Sequence, residues 1–200
     1  LSSIKKLPDN VKIEDAVFVE YIAIALKVID SVDIKKGEHV IIAGAGILGN
    51  IIAQLVLYYQ AIPVVIDNDA RNIEIIKNSD IYYTLLADND VEKRITEITG
   101  GRLAKTIIYV SGSSVPPSLI FDFCRNGGTA AITGLQESQM TINLDTALKK
   151  QLTIICVKNG YGNIDSAINM LATKNIDLSP IVTNVYNFKD ADKAFIETKN

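Results

Sequence analysis

Three glycines and one acid stand at a spacing that could hold a phosphate-linked ribose. Gly44-Ala45-Gly46-Ile47-Leu48-Gly49 has the form G-x-G-x-x-G, and Asp67 ends the next apolar run, Pro63-Val64-Val65-Ile66. Each residue type has a task in such a site. Gly44 permits a tight turn, Gly46 lets the main chain approach a pyrophosphate, and Gly49 lets the following helix pack closely on the strand. The phosphates would rest on N–H groups at the positive dipole end of that helix, where Ile47 and Leu48 stand. Asp67 would accept hydrogen bonds from the ribose hydroxyls, with Asn68 and Arg71 beside it. A glycine-lined turn between two core elements explains the glycines alone. The strand, turn, helix, strand and acid in this order point to a dinucleotide.

The acid also discriminates between dinucleotides. A 2′-phosphate about 4 Å from a carboxylate costs roughly 4 kcal/mol per unit charge at an effective dielectric near 20. NAD is therefore expected over NADP, with Arg71 placed to soften the repulsion or to cover the adenine face. Two later loops, Ser111-Gly112 and Thr133-Gly134, follow apolar runs and would lie at the carboxyl ends of strands, where ligands gather. They are expected to flank the nicotinamide side, although plain turn chemistry accounts for them equally well. The single histidine, His39, cannot build a three-ligand metal site and is expected to pack or cap. Cys124 and Cys156 have neither metal-ligand spacing nor a disulfide pattern, and their apolar surroundings predict small core residues.

The elements that must position these residues can be read from periodicity. Glu14 to Asp30 predicts a helix with Phe18, Ile22, Leu26 and Ile29 on one face. A strand starts at His39 and runs into the glycine turn, and the next ends at Asp67. The alternation continues as helix Ala70 to Lys77, strand Ile81 to Leu85, and helix Val91 to Thr99. Strand Thr106 to Val110, helix Pro117 to Arg125 and strand Thr129 to Thr133 follow. A sixth strand covers Leu152 to Val157. Ile164 to Thr173 and Asp190 to Thr198 predict late helices, with a short strand at Val185-Tyr186-Asn187-Phe188 between them. Strands alternating with helices imply an α/β fold: a doubly wound, parallel, six-stranded sheet in order 3-2-1-4-5-6, the Rossmann arrangement.

Taken together, these segments resemble the nucleotide-binding domain of medium-chain, zinc-dependent alcohol dehydrogenases, in the polyol and threonine dehydrogenase branch. The resemblance rests on Leu7-Pro8-Asp9 followed by Glu14-Asp15-Ala16, on Lys36-Gly37-Glu38, and on the glycine turn. It continues through Asp67 with Arg71, Thr99-Gly100-Gly101-Arg102, Gly127-Gly128-Thr129, Thr133-Gly134-Leu135 and Asn175-Ile176-Asp177-Leu178. Gln60 departs from it where the family has a glycine after the first nucleotide-fold helix, so that corner must be capped differently. Ser79-Asp80 replaces a usual Gly-Ala.

The resemblance implies hydride transfer between an alcohol carbon and nicotinamide, with zinc polarising the alcohol oxygen. It also implies a separate catalytic domain that supplies Cys and His to the metal. Residues 1–13 would be the linker from that missing domain, and 14–200 the dinucleotide-binding domain with a C-terminal helical and strand extension. On this reading the isolated chain holds no catalytic residue and is expected to be inactive. Glu20 aligns with a zinc-side carboxylate of the family and would serve as a metal ligand only together with the missing domain. An equally open reading makes it a solvated acid. Dimerisation through the apolar edge 152–157 is a further implication. Two other functions remain: a non-catalytic NAD-sensing regulatory module, and a zinc-free quinone or enoyl reductase of the same superfamily, which Asp67 disfavours.

Bulk properties narrow the partners. Two hundred residues can bury roughly 70% of the unfolded surface, so no covalent staple is needed. With 22% charged residues, a net charge of −3 and no Lys/Arg-rich run, nucleic acid and anionic membranes are not expected partners. The longest apolar stretch, Ala16 to Ile29, is interrupted by Glu20 and Lys27, which argues against a membrane span. A cytoplasmic setting is expected from the cysteine usage.

Overall fold

The computed structural model describes residues 4–113, 115–134 and 141–197. Ser114, Leu135, Met140 and Thr198 lie outside that set, as do residues 1–3. A 3-10 turn, Asp15–Phe18, leads into α1, Val19–Ser31. The chain then runs β1 (His39–Ala43), α2 (Ile47–Tyr58), β2 (Ile62–Asp67), α3 (Ala70–Lys77) and β3 (Tyr83–Leu86). The second half runs α4 (Val91–Ile98), β4 (Ala104–Val110), α5 (Pro117–Phe123) and β5 (Cys124–Thr133). It closes with α6 (Leu144–Lys149), β6 (Thr153–Val157), α7 (Ile164–Ala172) and α8 (Ala191–Glu197). The six strands form one parallel sheet in the order β3-β2-β1-β4-β5-β6, as expected for a Rossmann-like fold.

Each central strand is apolar at nearly every position because both faces of the sheet are covered. Val40, Ile42, Val65, Ile108 and Ala131 face a layer built by α1, α2, α3 and α7. Their neighbours Ile41, Ala43, Val64, Ile66, Ile107 and Tyr109 face the layer that contains Val91 and Ile95 of α4 and Phe123 of α5. The extra helix α1 is buried more widely than one face: Ile22, Ile24 and Val28 are each fully buried and contribute about 1.5–3 kcal/mol apiece. Gln54 of α2 fastens the late segment 175–178 to this layer. Its Nε2 donates to Asp177 O at 2.9 Å, and Asp177 N donates to its Oε1 at 2.8 Å.

Several boundaries differ from expectation. The helix predicted from Glu14 begins as the 3-10 turn and becomes α-helical only at Val19. The third strand starts at Tyr83 instead of Ile81, because the chain leaves the turn at Asp80 with φ 60° and Ile81, buried, precedes the paired residues. The helix predicted to reach Arg125 stops at Phe123, since Cys124 already pairs with Ala104 in the sheet. Helix α6 was not expected. The strand predicted at Val185–Phe188 does not form: Phe188 begins a 3-10 turn, Phe188–Asp190, that leads into α8. Val185 and Phe188 are 87% and 98% exposed, so the V-Y-N-F alternation has no buried face to satisfy.

Two corners use unusual caps. Gln60 itself takes φ 63°, while Ala61 N donates to Val56 O at 3.0 Å and closes α2 where a glycine was expected. At the end of α5, Lys150 Nζ donates to the carbonyls of Phe121, Asp122 and Cys124 at 3.1, 2.7 and 2.9 Å. An ammonium there satisfies orphan carbonyls at the negative dipole end of the helix. Among the described residues no helix is long and apolar enough to cross a membrane.

Candidate dinucleotide site

The glycine turn sits where β1 ends, at the point where the sheet order changes direction between β1 and β4. Gly44 takes φ 111°, a conformation that favours glycine, and its N–H donates to Ile66 O at 2.8 Å. That bond ties the turn to the end of β2. Asp67, only 3% exposed, completes the tie. Its Oδ2 accepts from Ala45 N at 2.7 Å and from Asn72 Nδ2 at 3.4 Å, and its Oδ1 accepts from Asp69 N at 2.8 Å. A buried carboxylate is tolerated because main-chain donors compensate it.

Around this turn opens a cleft of about 370 Å³, lined by the turn, the end of β2 and the loops after β4 and β5. Of the residues singled out from the sequence, Gly44, Gly46, Ile47, Leu48, Asp67, Ser111, Gly112 and Gly134 line it. Ser111 N donates to Thr133 O at 2.6 Å, which brings the two late loops together. A Cβ on Gly134 would fall 1.8 Å from Ser111 Oγ and 2.9 Å from Ser111 Cβ, so no side chain fits between them.

The remaining singled-out residues do not line the cleft. Gly49 is a packing residue: a Cβ there would lie 1.8 Å from Gly44 O. Thr133 is buried, and among the described residues its hydroxyl has no hydrogen-bond partner. Asn68 is exposed. Arg71 turns its guanidinium to Asp69, with Nη2 3.1 Å from Oδ2 and three-quarters of its side chain exposed. Glu20 is exposed in the first turn of α1.

Sequence reasoning missed Tyr21, Asp69, Asn72, Val110 and Ser113, all of which line the cleft. For Asp69 a signal existed. It is the N-cap of α3, accepting from Arg71 N at 2.8 Å, and the helix that follows Asp67 must start beside the cleft. Asn72, one turn into α3, follows from the same placement. Tyr21 comes from α1, an element outside the nucleotide fold, and no local pattern marks it.

Other candidate groups have structural roles. Burial, with Arg102 nearby, lowers the pKa of His39, whose ring packs 6.2 Å from that of Tyr83. Burial pushes the Cys124 thiol up to about 11, which suits an inert core residue. Cys156 is exposed, contrary to the expectation of a second core cysteine. It lies on the edge strand β6, on the face opposite Ile155 and Val157, which pack against the α1 layer. Among the described residues no group of three or more His, Cys, Asp or Glu could hold a metal ion.

Fold and strand order together define a Rossmann-like α/β domain. The family model for zinc-binding dehydrogenases matches residues 48–175, and the chain belongs to that family. An uncharacterised zinc-type alcohol dehydrogenase-like protein of Haemophilus influenzae is 30% identical over 186 residues, spanning 92% of this chain and 54% of its own. D-xylulose reductase of Saccharomyces cerevisiae is 25% identical over 206 residues, spanning 98% of this chain and 57% of its own. The chain thus spans about half the length of the curated relatives it matches. Two solved structures share the fold. A short chain alcohol dehydrogenase from Escherichia coli CFT073, complexed with NADH, is 18% identical with a TM-score of 0.84, covering 98% of this chain and 58% of that one. A zinc-binding dehydrogenase from Sinorhizobium meliloti 1021, bound to NADP, is 20% identical with a TM-score of 0.77, covering 88% and 53%.

Proposed function

We propose that this chain binds NAD and holds its nicotinamide ring for hydride transfer with an alcohol or polyol, as the cofactor half of a zinc-type dehydrogenase. The observation that carries this reading is Gly46. Its backbone, φ −65° and ψ −172°, suits any residue, and among the described residues a Cβ there would meet no atom within 4 Å. Gly44 and Gly49 are explained by conformation and packing; Gly46 is explained only by what enters the cleft. The pyrophosphate would lie over Gly46, Ile47 and Leu48, on the N–H groups that open α2. The ribose hydroxyls would meet Asp67, and the loops at Ser111-Gly112 and Gly134 would flank the nicotinamide.

When bound, NAD supplies the hydride acceptor. The chain's own part is to fix the ring's position, which lowers the barrier by orientation. The described residues alone do not fit a zinc site. Glu20 could join one only with groups from outside the described residues.

Gly46→Ala provides the test. The variant is expected to keep the wild-type urea midpoint yet to bind NADH roughly a hundredfold more weakly by calorimetry, since a methyl in the pyrophosphate bed displaces its hydrogen bonds. Undiminished NADH affinity would remove the basis of this reading.

The edge strand β6 also supports self-association. It stands at the edge of the sheet among the described residues, with Ile154 37% exposed. Pairing of 152–157 with a second copy would extend the sheet. Sedimentation equilibrium is expected to show a dimer, and a monomer at high concentration would exclude this arrangement.

A further inference from the structure

Two turns that the cleft does not use, Lys36-Gly37-Glu38 and Thr99-Gly100-Gly101-Arg102, meet at the opposite end of the sheet. With the first residues of β1, β4 and β5 they enclose a cavity of about 180 Å³. A strand rises about 3.3 Å per residue, so His39 in this cavity lies roughly 16 Å from Gly44. Three cations, Arg102, Lys105 and Arg125, line it beside one acid, Glu38, in a chain whose net charge is −3. Their neutralisation is incomplete. Arg125 Nη2 stands 3.8 Å from Glu38 Oε1, beyond hydrogen-bond reach. Lys105 Nζ donates to Asp33 Oδ2 at 3.0 Å, but Asp33 also serves Lys35 at 2.5 Å. Among the described residues Arg102 has no carboxylate partner. Its turn is fixed: Leu103 takes φ 58°, and Leu103 N donates to Oγ1 of buried Thr99 at 3.2 Å.

We propose that this cavity binds a phosphoryl group, as free phosphate or as the head of a small phosphate ester. Arg102 and Arg125 supply planar forks that match phosphate oxygens, and Lys105 supplies a point charge. Gathered cations repel one another, and an anion between them turns that repulsion into attraction. The cavity is smaller than an ordinary small-molecule site and suits a group of this size. The site stands apart from the dinucleotide reading, since the cleft and this cavity share no lining residue. Main-chain amides do not build it. The N–H groups of Gly37, Gly101 and Leu103 are given to Gln60 O, Thr96 O and Thr99 Oγ1. Recognition therefore falls to the side chains. His39 lines the same cavity, and burial, then the Arg102 charge, lowers its pKa. An anion beside Arg102 offsets that charge, so binding raises the pKa of His39.

His39 is the only histidine of the chain, which makes its ring protons a selective reporter. The test titrates sodium phosphate and, separately, glycerol phosphate into the full chain at neutral pH, with sodium chloride as the ionic-strength control. The His39 ring resonance is followed by NMR in the wild type, Arg102→Gln, Arg125→Gln and the double variant. The wild type is expected to show a saturable shift toward the protonated imidazole that chloride does not produce. Each single variant is expected to weaken binding roughly tenfold, as loss of a charge-assisted hydrogen bond allows. The double variant is expected to abolish it. Both arginines are exposed, so the thermal midpoints should stay at the wild-type value. Tighter binding of glycerol phosphate than of phosphate would assign the site to esters, and the reverse order to the free ion; either supports the proposal. No shift beyond the chloride control would overturn it. So would a shift of undiminished affinity in the double variant, since the anion would then be bound elsewhere.

Discussion

Asp67→Ser is expected to shrink the preference for NAD over NADP by roughly a hundredfold or more, from both directions. On the NADP side, the wild-type carboxylate opposes a 2′-phosphate about 4 Å away by roughly 4 kcal/mol per unit charge at an effective dielectric near 20. Its burial, at 3% exposure, keeps that interaction from being diluted by solvent. On the NAD side, serine removes the acceptor for the ribose hydroxyls and also the anchor for the turn. Asp67 holds Ala45 N at 2.7 Å and Asp69 N at 2.8 Å, and hydrogen bonds to a charged group contribute about 1.5–3 kcal/mol each. The serine variant should therefore bind NADH less tightly and melt at a lower temperature. Asp67→Asn separates the two effects, since its oxygen can still accept a main-chain N–H although the charge is gone. Calorimetric titrations of both cofactors at one fixed salt concentration decide the matter. An unchanged ratio in both variants, or tighter NADP binding by the wild type, would refute the role given to this acid.

The second large effect is on stability. Gly49→Ala is expected to cost about 3 kcal/mol, at the upper end for an overpacked site. The added Cβ would lie 1.8 Å from Gly44 O and 2.9 Å from Gly44 C, both main-chain atoms that cannot swing aside. Either α2 must retreat from β1 or the turn must rebuild. Retreat loosens the contacts of Leu48, Ile51 and Ile52, all buried in the principal core. Urea unfolding should show a lower midpoint with an unchanged slope. Beside Gly46→Ala, three residues earlier and expected to be silent in stability, the contrast is sharp. A wild-type midpoint for Gly49→Ala would mean that the close approach of helix and strand is not as described.

The same motif thus contains residues of two kinds, and their separation shows how much was legible. The order of strand, turn, helix, strand and acid depends on backbone propensity and on apolar period over a few residues. These are near-neighbour properties, so the sheet order and the position of the glycine turn after β1 followed from the sequence. The motif marks Gly49 as the glycine that lets helix and strand pack closely, and Gly44 O, 1.8 Å from a Cβ placed there, bears that out. Spacing alone does not tell it from Gly46, which opens on the cleft. Cys156 illustrates the same limit. Its run, Leu152 to Val157, is as apolar as a central strand, yet β6 stands at the sheet's edge and one face of it is open. Val185 to Phe188 has strand-like alternation, and no neighbouring strand receives it.

By itself the sequence determined a doubly wound parallel sheet, a glycine turn after its first strand and an acid after its second, because periodicity and φ preference are encoded within single elements. Only the tertiary structure decided that Tyr21 from α1 and Asn72 from α3 meet around that turn. It alone decided that Asp69 holds Arg71 at the edge of the cleft. Residues far apart in the chain become neighbours through crossovers and layer packing, which no local pattern records. The turn was legible, and its surroundings depended on the packing.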